Sequence, residues 1–204
     1  RQGFSGQAKL FILGEIVHNP QVVADLEKRG IKSVKDLKEI PEGSTVVFSA
    51  HGVAPAVFQK AQERKLKIVD ATCPLVLKVH ALVKNLARQS YEIIYLGDPN
   101  HEEAVGVVGE APKRVILLNP EFLAQDQLVI KGFKSKNPKK LALVTQTTLS
   151  SGDTQEAMEF LKEKFPGILV YNTICQATEE RQKAVGDLAK KVEALKQEGK
   201  AVVQ

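Results

Sequence analysis

The feature that most constrains this chain is a regular alternation. Short, β-branched apolar runs are each closed by a polar elbow, and most elbows lead into a stretch with helical spacing of apolar residues. The runs are residues 10–13, 45–49, 67–70, 92–96, 115–118, 141–145, 168–171 and 201–203. Runs this short and apolar on both faces fit strands buried in parallel sheets. Helical patterns cover 21–29, 56–65, 74–89, 154–164 and 178–198, with Pro74 in the favoured first turn and Asp153 as an N-cap. The expectation is α/β layering around parallel sheets. No Gly/Ser-rich linker divides the chain, and the seams are expected near Cys73 and Asn172. No clear sequence repeat accompanies the recurring strand, elbow and helix.

Several function classes are disfavoured at once. No apolar run approaches the ~18 residues needed to cross a bilayer, and no charged-then-apolar leader resembles a signal peptide. With 204 residues, 43% of them hydrophobic, the chain has the material for a real core and reads as soluble. It begins with Arg1 and ends on Ala201-Val202-Val203-Gln204, a strand just starting, so a fragment of a longer protein is expected. The net charge of +5 does not imply a nucleic-acid partner, because lysines alternate with glutamates as in Glu179-Glu180-Arg181-Gln182-Lys183. The denser cluster from Lys131 to Lys140 contains only Phe133 as an aromatic and reads as a surface loop, not a stacking platform. No Gly-x-Gly-x-x-Gly comes after the first strand, and no phosphate-loop motif occurs anywhere. The two cysteines are far apart and in no Cys-x-x-Cys pair, which gives no disulfide framework and fits a reducing, cytoplasmic setting.

The elbows at the strand ends are chemically loaded. They read Gly14-Glu15-Ile16-Val17-His18-Asn19-Pro20, Ala50-His51-Gly52-Val53, Ala71-Thr72-Cys73-Pro74, Gly97-Asp98-Pro99-Asn100-His101-Glu102-Glu103, Gln146-Thr147-Thr148-Leu149-Ser150 and Asn172-Thr173-Ile174-Cys175-Gln176. Parallel strands place such elbows along one edge of their sheets, where α/β proteins bind ligands. Any single cysteine here reads more readily as a small buried hydrophobe, and any single histidine reads equally well as a hydrogen-bonded turn residue. Two thiols, three imidazoles and a carboxylate gathered at elbows read better as a site. Thiolates suit soft metals and iron–sulfur clusters. Imidazoles beside helix starts suit a phosphate. Glu103 is a candidate proton donor, with a threonine hydroxyl as relay.

The motifs resemble one family. Leu13-Gly14-Glu15-Ile16-Val17-His18-Asn19-Pro20, Phe48-Ser49-Ala50-His51-Gly52-Val53, Asp70-Ala71-Thr72-Cys73-Pro74-Leu75 with Lys78-Val79-His80, Thr145-Gln146-Thr147-Thr148-Leu149-Ser150 and Ile174-Cys175-Gln176-Ala177-Thr178 are similar, in order, to the 4-hydroxy-3-methylbut-2-enyl diphosphate reductases. The resemblance implies a trefoil of three small parallel-sheet α/β domains around a central site. Here those would be residues 1–73, incomplete at the start, 74–171, and 172–204, cut off. It implies a two-electron removal of a hydroxyl from 4-hydroxy-3-methylbut-2-enyl diphosphate, giving isopentenyl and dimethylallyl diphosphates in the methylerythritol phosphate pathway of isoprenoid biosynthesis. It also implies a 4Fe-4S cluster on three cysteines and an electron donor such as ferredoxin or flavodoxin. Carried over by motif, Cys73 and Cys175 are cluster ligands, and His18, His51 and His101 bind the diphosphate. Glu103 delivers the proton, Thr147 assists, and Gln146 and Thr148 line the pocket. His80 lies within a helix and reads as structural. The implied partners are a small allylic diphosphate and the electron donor, with neither nucleic acid nor membrane. The setting is cytoplasmic, or plastid if a transit peptide lies upstream.

The chain departs from the family pattern in places. The family's N-terminal Gly-Phe-Cys-x-Gly-Val cysteine is absent, and Gly3-Phe4-Ser5-Gly6 lies too close to His18 to replace it. The family's later Ser-x-Asn segment is also absent. Around His101 the family usually reads Gly-His-x-x-His-Pro-Glu, whereas Asp98 and Glu102 here add negative charge near an anion site. Two further readings stay open: a non-catalytic descendant that binds a diphosphate or a partner, or a zinc protein using Cys73, Cys175 and histidines. The chain alone is expected to be inactive or nearly so.

Overall fold

The computed structural model describes residues 10–16, 19–120, 135 and 138–197. His18, most of the Lys131–Lys140 cluster and the expected strand at 201–203 lie outside the described residues. Within them the chain forms β1 (Leu10–Leu13), α1 (Pro20–Lys28), β2 (Lys32–Val34), β3 (Thr45–Phe48), α2 (Pro55–Glu63), β4 (Lys67–Asp70) and α3 (Pro74–Arg88). It continues with β5 (Glu92–Leu96), α4 (Glu102–Val108), β6 (Val115–Leu118), β7 (Leu141–Thr145), α5 (Ser151–Lys164), β8 (Leu169–Tyr171) and α6 (Gln176–Gln197). No described helix is long and apolar enough to cross a membrane.

The strands form two four-stranded sheets, ordered β2-β1-β3-β4 and β6-β5-β7-β8. Every pairing is parallel. The α/β expectation therefore holds, and the two sheets repeat one strand order. In each, the first strand lies between the second and third, which creates a switch point where connections leave in opposite directions. Register brings the strand ends level: Leu13 pairs with Phe48, Phe48 with Asp70, and Leu96 with Thr145. The elbows after β1 and β3, and those after β5 and β7, therefore open side by side at the two switch points.

The second sheet is covered on both faces, as alternation along β5 shows. Ile93 and Tyr95 pack with Val79, Val83 and Leu86 of α3 and with Ala104 and Val107 of α4. Ile94 and Leu96 point the other way, onto Ala157, Met158 and Leu161 of α5. All five residues of β7 are buried between these layers. The first sheet has a smaller core of Phe11, Val34, Leu37, Ile40, Val46, Phe48, Ala61 and Leu66, while α1 buries none of its residues.

Three sequence expectations need correction. Lys32–Val34 is a strand although Lys-Ser-Val carries no apolar run; its pairing with β1 and the burial of Val34 make it one. Glu102–Val108 is a helix although Gly106 and three valines disfavour it. His101 caps α4, its side chain accepting from Glu103 N, and Ala104 and Val107 are packed against β5. Finally, α5 begins at Ser151 after Ser150, so Asp153 falls in its first turn and is not the cap.

Candidate functional site

Short side chains shape the elbows before any chemistry is considered. Asp70 Oδ1 accepts from Thr72 N at 3.0 Å and from Thr72 Oγ1 at 2.5 Å, folding the turn that ends at Cys73. Asp98 Oδ1 accepts from Asn100 N at 2.8 Å, and Asn172 Oδ1 from Ile174 N at 3.1 Å. These are Asx-type turns, in which a carboxylate or amide replaces a backbone acceptor. Cross-links then join the elbows. Cys73 N donates to Ala50 O at 3.0 Å, and Cys175 N to Thr147 O at 2.8 Å. Each cysteine thus reaches an elbow that bears other expected site residues.

Among the described residues expected to be functional, Glu103 is the most deeply buried, 1% exposed. Thr147 donates to it twice, from N to Oε1 at 2.8 Å and from Oγ1 to Oε2 at 2.7 Å. Tyr95 Oη, which the sequence reading did not single out, donates to Oε1 at 3.4 Å. A phenol in a buried strand needs such a partner, and that requirement is the signal that would have found it. Burial pushes the Glu103 carboxyl above the usual carboxylate range, against the opposing pull of the Thr147 bonds, the His51 charge and the Tyr95 bond. Burial and the adjacent Glu103 likewise raise the Tyr95 phenol.

The histidines sit beside this pair. His51 and His101 lie edge to face with ring centroids 5.0 Å apart, and His101 Nδ1 accepts the Glu103 backbone N–H at 3.1 Å. Gln146 is buried, and its amide works within the protein: Oε1 accepts from Asp98 N at 3.0 Å, and Nε2 donates to Thr148 Oγ1 at 2.8 Å. Thr148 itself is exposed. A cavity of about 670 Å³ opens beside His101, bordered by Gly14, Glu15, Asp98, Asn100 and Glu102. His80, read as structural, is buried on α3 and bonds Glu110 through Nδ1 at 2.9 Å.

The arrangement is a buried acid–hydroxyl couple next to two imidazoles at a switch point. The sequence description of one family, LytB protein, matches residues 2–196. The chain belongs to the LytB protein family. Among its relatives, the 4-hydroxy-3-methylbut-2-enyl diphosphate reductase of Acidothermus cellulolyticus is 44% identical over 88% of this LytB chain and 52% of its own length. The reductase of the same name from Mycolicibacterium gilvum is 46% identical over 92% of this chain and 55% of its own. The solved E-1-hydroxy-2-methyl-but-2-enyl-4-diphosphate reductase of Plasmodium falciparum superposes with a TM-score of 0.83 at 36% identity, covering 92% of this chain and 57% of that one. The LytB chain thus spans a little over half the length of the curated relatives it matches. The family resemblance read from the motifs is borne out.

The cysteines are compatible with the metal chemistry implied by that resemblance. Cys73 and Cys175 are free and half-buried, and each stands immediately before a helix, α3 or α6, in the elbow that follows a strand. The positive end of a helix favours the negative charge of a metal–thiolate centre. These are two thiol donors of the implied three, and the sequence has no other cysteine. Among the described residues, no group of three His, Cys, Asp or Glu side chains is placed to hold a metal ion.

Burial of Glu103 has a measurable consequence. Because its folded carboxyl titrates above the ordinary 4.5, folding favours the protonated form. That stabilisation is complete below 4.5 and is lost as pH rises through the folded value. Glu103→Gln removes this dependence. Unfolding midpoints measured across that range should fall for the wild-type chain relative to the variant as pH increases. Parallel curves would show that Glu103 keeps an ordinary pKa.

Proposed function

We propose that this chain carries the central elements of a 4-hydroxy-3-methylbut-2-enyl diphosphate reductase. In that reaction the allylic C–O bond breaks, two electrons and two protons are taken up, the hydroxyl leaves as water, and isopentenyl and dimethylallyl diphosphates form. The observation that carries the reading is the buried couple of Glu103 and Thr147 beside His51 and His101, in a chain of the LytB family.

The residues divide the work by their chemistry. His51, His101 and His18 bind the diphosphate, since imidazole N–H groups donate to phosphate oxygens. Glu103, held by burial in a state that favours its proton, is the acid. Its Oε2 faces Thr147 Oγ1 at 2.7 Å, so a proton on Oε2 passes outward through the threonine hydroxyl, which accepts one as it releases another. Gln146 fixes the elbow that carries Asp98 and holds the Thr148 hydroxyl. Cys73 and Cys175 hold the cluster as two of its ligands. When bound, a 4Fe-4S cluster supplies electrons one at a time and a Lewis-acidic iron for the hydroxyl. The electrons come from a donor such as ferredoxin or flavodoxin, and the setting is the cytoplasm. The domain division consistent with these roles is 1–73, 74–171 and 172–204.

The test is metal analysis after anaerobic reconstitution of the chain and of its Cys73→Ala and Cys175→Ala variants. Iron and acid-labile sulfide in the wild-type chain, lost in each variant, is the expected result. Iron and sulfide unchanged in both variants, or zinc without sulfide, would sink the reading.

A further inference from the structure

We propose that Gln182 is a positioning residue for Cys175: its side-chain amide clamps the start of α6 onto the elbow after β7 and so fixes the thiol relative to the couple of Glu103 and Thr147. The proposal rests on the reading of Cys175 as a cluster ligand.

Apolar packing does not place α6. None of its residues from Gln176 to Gln197 is buried, and Val185 and Leu188 are 68% and 62% exposed. Polar ties hold its start instead. Cys175 O accepts from Thr178 N at 2.8 Å and from Glu179 N at 3.1 Å, which opens the helix, while Cys175 N donates to Thr147 O at 2.8 Å. Gln182 lies seven positions further on, about two turns, and so faces the same side. Its Oε1 accepts from Ser151 N at 3.1 Å and from Ser151 Oγ at 3.3 Å, and its Nε2 donates to Leu149 O at 3.0 Å. One face of α6 therefore meets one stretch of backbone, residues 147–151, at two points.

The partners fix the orientation of the amide. Ser151 N can only donate and Leu149 O can only accept, so the oxygen faces the first and the nitrogen the second. Ser151 opens α5, and a first-turn N–H has no partner within its own helix. Ser150, the residue before it, makes no side-chain cap bond. Gln182 supplies an acceptor there from a different helix. The stretch it holds also carries the partner of the acid, since Thr147 donates from N and Oγ1 to Glu103 and accepts from Cys175 N with its carbonyl. One residue thus separates the thiol from the carboxyl, and Gln182 holds the helix that sets their spacing.

The experiment uses the full chain, as wild type and as Gln182→Met, which keeps the stem and removes both donor and acceptor. In the metal-free chain, amide hydrogen exchange is read at Cys175 N and at Gln146 N, the control, which donates to Leu96 O at 2.8 Å. Loss of two hydrogen bonds is expected to speed exchange at Cys175 about tenfold and to leave Gln146 unchanged. After anaerobic reconstitution, the EPR g-values of the reduced cluster are expected to shift. A residue that only supported the fold would lower the cluster yield and leave the shape of that signal as it was. Gln182→Glu, which keeps the acceptor and replaces the donor by a second oxygen, is expected to move both readouts in the same direction, and it decides the matter if Gln182→Met does not fold. Unchanged exchange at Cys175, equal acceleration at Cys175 and Gln146, or an unshifted signal overturns the inference alone. A wild-type chain that takes up no iron and sulfide overturns the cluster reading and the inference with it.

Discussion

On the reading proposed above, and in a reductase complete with its third cluster ligand, Glu103→Gln is expected to leave cluster content and diphosphate binding in place while lowering turnover by about 10²- to 10⁴-fold, the range that a positioned general acid contributes. Gln has nearly the same shape, and its oxygen still accepts the Thr147 backbone N–H that Glu103 Oε1 receives at 2.8 Å. Its amide nitrogen faces the Thr147 hydroxyl and donates to it, so packing and bonding survive. What disappears is the transferable proton. Iron and sulfide content, pyrophosphate affinity and single-turnover reduction of the allylic diphosphate by the reconstituted enzyme separate these effects. Reduction within a factor of two of wild type would remove Glu103 from the proton path. Loss of iron together with activity would make its role structural.

Gly52→Ala is expected to cost about 2–5 kcal/mol of folding stability and to weaken pyrophosphate binding. Gly52 has φ +75°, a conformation that costs an L-residue roughly 1–2 kcal/mol. A Cβ there would also sit 3.0 Å from Thr72 Cγ2 and 3.1 Å from His80 Nε2, and overpacking of this kind adds about 1–3 kcal/mol. The neighbours have little room to yield, since His80 is 7% exposed and tied to Glu110. Gly30→Ala is the control: φ is +83° there, but nothing lies within 4 Å of the added Cβ. It should cost only the conformational part and leave binding unchanged. Urea unfolding of both variants, with an unchanged slope, measures the difference. Equal losses at the two positions would show that the crowding between Gly52, Thr72 and His80 has no energetic weight.

Much of this architecture was legible because buried parallel strands advertise themselves. β1, β4, β5, β6 and β7 begin and end where their apolar runs do, although only β7 is buried along its whole length and β4, at the edge of its sheet, is largely exposed. β2 and α4 were not legible, because their stability comes from elsewhere in the chain: pairing with β1 for one, packing under β5 and α3 for the other. The same division runs through the site. Parallel strands put Cys73, His51, His101, Glu103 and Thr147 at elbows, and the sequence pattern shows as much. Which side chain meets which is a matter of how two sheets face each other. Glu102 read from sequence as unwelcome charge near an anion. Its bond to His51, 51 positions away, is visible only once both sheets are in place. Tyr95 lies inside an apolar run, and only the fold aims its hydroxyl at Glu103.

The two sheets repeat one strand order, and the expected site residues divide between the copies, His101 riding with the second. Ser49 and His51 ride on the first, while Glu103 and Thr147 ride on the second. The span between them is therefore the opening of a joint between two plates, set by apolar contacts where α3 and α4 meet the loop after β3. A lineage could resize the ligand it accepts by exchanging those greasy contacts while every polar group stays fixed. Changes in ligand length would then be written in positions that no inspection of the polar residues would examine.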